Sequence, residues 1–163
     1  MNASLAIGNI TNKFSADIAN NKELKAGSVN ALADVHTNIV SVAAGVSVST
    51  ESFGGVGSLA FNDLVQDNIV SITGNGRGTA AGNGITADSV SGTAKNTSRI
   101  VNVTGDFAGG RNAVGLGIAY NRMDDTTGVY AADNRIRAKD AAKGVDVSLD
   151  ANNDAYADRK SVV

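Results

Sequence analysis

The chain has 163 residues, 42% hydrophobic and 18% charged, with a formal net charge of -2. That length suits one domain with its own core, and the charge supplies no cationic excess for a nucleic-acid backbone or an anionic membrane. Cys is absent, which excludes a disulfide framework and a thiolate metal site, and Pro is absent, which suits strands whose backbone donors are all paired.

From the N-terminus, residues 1–10 show no basic stretch followed by a sustained apolar run. No segment approaches the roughly 18 apolar residues of a membrane-spanning helix, so neither an export signal nor a span is expected. Leu5 to Ile10 alternates small and large residues. A polar corner is expected at Thr11 to Lys13, then a second alternating segment ending near Ile18. Asn20-Asn21 marks another corner. Lys22-Glu23-Leu24-Lys25 has no apolar stripe to bury and reads as a loop. Residues 24–42, "LKAGSVNALADVHTNIVSV", alternate with period two. Val40 and Val42 face one way and Ile39 and Ser41 the other, and Val42 is expected in the core.

Past a corner at Gly54-Gly55, Leu59 to Leu64 repeats the pattern of Leu5 to Ile10 at an offset of 54 residues, and Ile118 to Met123 repeats it again at 59. "ITADSVSGTAKNTSRIVNV", residues 85–103, aligns without gaps on residues 24–42 at an offset of 61, which puts Val103 in the core with Val42. Further corners are expected at Val65 to Asp67, Gly109-Gly110, Asp124 to Thr126 and Asn152-Asn153. A third copy is recognisable at Ile136-Arg137-Ala138, and the tail still alternates. The chain is thus divided into copies at residues 4–57, 58–112 and 113–163.

Period-two strands of about five residues, punctuated by Gly, Asn, Asp and Ser, are expected to coil. Each copy divides into about three coils of roughly 18 to 20 residues, too small to close a core without stacking on its neighbours. The expected fold is all-β, a parallel β-helix or β-solenoid in one segment, with an antiparallel β-sandwich as the alternative. Aliphatic side chains would form inward ladders, and Asn62 and Asn121, with Gly8 at the matching position, a corner ladder. The low aromatic content, 4%, fits a thin interior.

Residues 74–84, "GNGRGTAAGNG", contain Gly-x-Gly-x-Gly, but the segment after them, "ITADSV", is strand-like and gives no helix start for a phosphate cradle. A flexible surface loop is expected, with Asn75, Arg77 and Asn83 as its recognition residues. Asp124 and Asp125, with Asp146, Asp150 and Asp154, make an acidic face whose hard oxygens suit calcium, although neither the EF-hand nor the Gly-Gly-x-Gly-x-Asp spacing appears. His36, the single histidine, aligns with Thr97 and reads as an outward strand position.

"GVGSLAFNDLVQDNIVSI" and "AVGLGIAYNRMDDTTGVY" resemble the repeat "AGAVAVNxIxNxTxAxI" of large filamentous-adhesin and leukotoxin-like exoproteins of Gram-negative bacteria, over residues 4–150. Asn62, Asp67, Asn121, Asp125 and Thr127 fall at its polar positions, and "LKAGS" and "ITADS" resemble the strand placed next. The resemblance implies a right-handed parallel β-helix in an elongated cell-surface stalk, exported by an autotransporter or two-partner route, with no catalytic residue or cofactor. It also implies that 163 residues are a few coils of a longer chain.

Two functions fit these features. The first is a structural and adhesive segment, secreted or displayed on a bacterial surface. Its partners would be adjacent coils and a host-cell or bacterial surface receptor, and open strand edges would favour end-to-end self-association. The alternative is a polysaccharide lyase or glycoside hydrolase on the same scaffold, with Asp124, Asp125 and Arg122 as its local constellation.

Overall fold

The computed structural model describes residues 2–21, 23–74 and 84–162. The described chain is all-β, in seven strands: β1 (Asn2–Asn21), β2 (Glu23–Lys25), β3 (Ser28–Gly74), β4 (Gly84–Ala87), β5 (Ser89–Ala132), β6 (Ile136–Ala138) and β7 (Asp146–Val162). They form a four-stranded sheet in the order β1-β3-β5-β7 and a three-stranded sheet in the order β2-β4-β6.

Every strand pairing is parallel, which overturns the antiparallel sandwich. The register sets Ala6 beside Ala60 and Ala60 beside Ala119, and Val29 beside Val90 and Val90 beside Val147. Hydrogen-bonded neighbours are therefore more than fifty residues apart, and among the described residues no strand pairing occurs at 18 to 20 residues. Like residues in like positions keep the ladder in register through every bend. That is why β3 runs for 47 residues where strands of about five were expected. The corners expected at Thr11 to Lys13, Val65 to Asp67, Asp124 to Thr126 and Asn152-Asn153 lie inside continuous strands. Lys22-Glu23-Leu24-Lys25 is also corrected: Glu23–Lys25 is β2, because Leu24 packs against the apolar core as it pairs with Ile85.

The four-stranded sheet curls so that β3 and β5 each fold back on themselves. Odd-numbered residues from Val29 to Ser47 point inward, and even-numbered residues do so from Gly54 to Ile72. The parity changes where the register shifts, between Ser49 and Phe53. At this bend Gly110 adopts φ +140, and a Cβ there would strike the Ser49 carbonyl oxygen, so the position requires glycine. At the opposite side Gly84, at φ +123, opens β4 against the carbonyl of Arg135.

Between the two limbs the interior is banded. Val29, Ala31, Ala33, Val70, Ile72, Ile85, Ala87, Val90 and Ala94 make one apolar core beside the three-stranded sheet. Ile39, Leu64 and Ile100 make a second, with Ile10 and Met123 packed against it. Polar side chains fill the bands on either side of that second core, so Asn62 and Asn121 stand mid-strand and not at corners. This explains a further correction. Val42, expected in the core, is 62% exposed, and Val103 is only half-buried, because the inward positions at this level belong to Ser41 and Asn102. Hydrophobicity alone chose the wrong face: amides that satisfy one another across the limbs can be buried at little cost.

Candidate functional site

The polar bands are continuous networks. Thr37 Oγ1 donates to Gln66 Oε1 at 2.6 Å, Gln66 donates to Asn96 Oδ1, and Asn96 Nδ2 donates to Asn153 Oδ1 at 2.9 Å and to Asp125 Oδ2 at 3.1 Å. On the far side of the Leu64 core, Ser41 Oγ donates to Asn62 Oδ1 at 2.6 Å. Asn62 Nδ2 donates to Asn102 and, at 3.3 Å, to Asn121. Asn102 Nδ2 then donates to Asn121 Oδ1 and, at 3.2 Å, to the Tyr120 carbonyl. These amides lock the two limbs in register, because a one-residue slip would leave each of them unpaired in the interior.

The outer faces carry what solvent or a partner meets. Leu5, Leu59 and Ile118 form one exposed apolar column, and Ile7, Phe61 and Tyr120 form the next. The Phe61 and Tyr120 rings lie 6.3 Å apart between centroids, tilted by 46°. Two residues along, the Arg122 guanidinium bridges Asp63 and Asp124, each at 3.6 Å. A shallow depression of ≈ 310 Å³ lies here, lined by Ile7, Asn9, Phe61, Asp63, Tyr120 and Arg122. The sequence signal for this cluster was the offset of 59 combined with period two, which places Tyr120 beside Phe61 and Arg122 beside Asp63. On the other limb, Arg99 lies over the Tyr156 ring at 5.8 Å, beside Asp154.

The residues singled out in the sequence fare differently. Asn75, Arg77 and Asn83 lie outside the described residues. Asp124 and Asp125 are separated, since neighbours on a strand point to opposite sides: Asp124 is exposed beside Arg122, and Asp125 turns inward to accept from Asn96. The expected pair of carboxylates with Arg122 is therefore not assembled there. Asp146, Asp150 and Asp154 do share one exposed face of β7, beside Ser89, Thr93 and Thr97. Four-residue steps set them about 13 Å apart along the strand. Among the described residues no three His, Asp or Glu side chains come together as a metal-binding group. His36 is outward beside Thr97 and contacts Asp34 at 3.2 Å.

Among the described residues no helix is long and apolar enough to cross a membrane. No family model, curated protein or solved structure matches the chain.

Proposed function

We propose that the chain is a segment of a right-handed parallel β-solenoid, serving as a non-catalytic stalk and contact surface of a secreted or surface-displayed bacterial exoprotein of the filamentous-adhesin or leukotoxin-like kind. The handedness and the location rest on the resemblance of residues 4–150 to those proteins. The observation that carries the mechanical role is the parallel register, which stacks Ala6, Ala60 and Ala119, and Val29, Val90 and Val147, in columns through successive rows. A cross-section of this kind lengthens by adding rows, without a new core being designed for each. The exposed Phe61 and Tyr120, with Arg122 beside them, support the contact-surface part of the reading.

The test is to insert four further copies of residues 54–112 in tandem and measure small-angle scattering. Rows are spaced by about 4.8 Å, so the molecule should lengthen by about 19 Å along the stacking axis while its other two dimensions stay constant. Growth in all three dimensions would overturn the stalk.

A further inference from the structure

Near the bend, the interior holds a carboxyl group with no counter-charge among the described residues. Asp106 is 7% exposed, and neither of its carboxylate oxygens meets a hydrogen-bond donor among the described residues. No ion pair among those residues includes it. Of the four buried hydroxyls that lack a hydrogen-bond partner among the described residues, Ser58 Oγ and Thr104 Oγ1 sit on residues at 0% exposure, and Ser4 Oγ stands beside Ser58 in the register.

The register brings Asp106, Ser58 and Thr104 to one region. Thr104 and Asp106 project from the same side of β5, two residues apart. Asp106 pairs with Gly45, and Val56 on the opposite limb pairs with Gly115. A Cβ on Gly115 would lie 3.1 Å from the Asp106 Cβ, and one on Gly45 would lie 3.1 Å from Asp106 Oδ1, so the carboxylate stands between the limbs. Ser58 is one pleat from Val56 and is buried on the same inward face. A two-residue step is about 6.6 Å between backbone positions, so side-chain oxygens on successive inward positions have to lean toward one another to share one ion. Apart from Val56, the interior here is lined by the small residues Ala43, Gly45, Ser47 and Gly115, which do not make the apolar core that holds the limbs together elsewhere.

We infer that Asp106, Ser58 and Thr104 form a binding site for one monovalent alkali cation of sodium size, which ties the limbs together beside the bend. A carboxylate removed from water requires a counter-charge, and hydroxyl and carboxylate oxygens are ligands for a hard cation. The charge selects the valence: one carboxylate with two neutral hydroxyls balances a single positive charge, whereas calcium sites gather several carboxylates. The site is separate from the acidic face of β7 and does not depend on the stalk reading.

The experiment is thermal unfolding of the chain at fixed ionic strength in sodium, potassium or tetramethylammonium chloride. A cation bound only by the folded state raises Tm with its concentration. Tm should be several degrees higher in sodium than in tetramethylammonium. The difference should vanish in Asp106→Asn, shrink in Thr104→Ala and persist in Asp150→Asn. Sodium-23 line broadening on the unmodified chain, reversed by unfolding it, reads the same site if Asp106→Asn does not fold. Equal Tm in sodium and tetramethylammonium without line broadening overturns the site. A sodium effect that survives in Asp106→Asn removes it from this position, and a Tm rise with millimolar calcium but not with sodium overturns the monovalent assignment.

Discussion

Leu64 and Val42 are both aliphatic residues of alternating segments in β3, yet Leu64 is fully enclosed at 0% exposure and Val42 projects into solvent. Leu64→Ala should destabilise the fold by about 2 to 5 kcal/mol in urea unfolding, since it opens a cavity between Ile39 and Ile100. Val42→Asp should change stability by no more than about 0.5 kcal/mol, because no charge enters the interior. Asn102→Ala should cost about 1 to 3 kcal/mol: it removes the donor to Asn121 and to the Tyr120 carbonyl and leaves Asn62 Nδ2 without one of its acceptors. At exposed Asp17, hydrogen bonds from Ser71 first and Ser15 second hold the carboxyl below its ordinary value of 3.8. A depressed carboxyl pKa contributes stability above the unfolded value, which is lost as pH falls through the folded one. Ser71→Ala should therefore move the Asp17 titration, read by carboxyl NMR, upward toward 3.8.

At the scale of the element, the edges of the large sheet stand out. Among the described residues β1 pairs only with β3, and β7 only with β5, so within that set each presents unpaired backbone groups along its outer edge. The inward side chains of the edge strands are less covered than those of the middle rows: Val147 is 50% exposed, against 1% for its neighbour Val90. The chain should therefore self-associate end to end, seen as a mass that rises with concentration in sedimentation equilibrium. Ala155→Lys should lower that association and leave Tm nearly unchanged, because Ala155 is exposed on β7 and a lysine there places charge where the next row would dock.

For the whole molecule, stability comes from columns shared between rows more than from any local segment. Neighbouring rows meet only after more than fifty residues of chain, as with Ala6 and Ala60, so each pairing closes a long loop. Folding should be slow for a chain of this size, with refolding from urea in the range of milliseconds to seconds or longer in stopped-flow measurements. A microsecond refolding phase carrying the full amplitude would contradict the non-local register.

Much of the pairing was legible because it is written twice. Ala6, Ala60 and Ala119, and Val29 and Val90, occupy equivalent positions in alignable segments, and parallel strands in register place equivalents side by side. The period of two, and hence an all-β chain, came from the same residues. Which face turns inward was not legible. Val42 and Ser41 alternate equally well either way, and only the opposing limb, with Asn62 across from Ser41, makes the polar face the buried one. The length of a row was likewise hidden, because Gly and Asn mark a corner and a continuing bent strand alike. The separation of Asp124 from Asp125 needed only the period of two. The outer cluster of Phe61, Tyr120 and Arg122 needed the offset as well. The interior position of Asp106 was decided by tertiary structure alone, since nothing near it in sequence says that two glycine-lined limbs will close over a carboxylate. Local pattern and repetition thus determined the secondary structure and the register of this chain. Burial, and the chemistry that depends on it, was decided by what each limb meets across the interior.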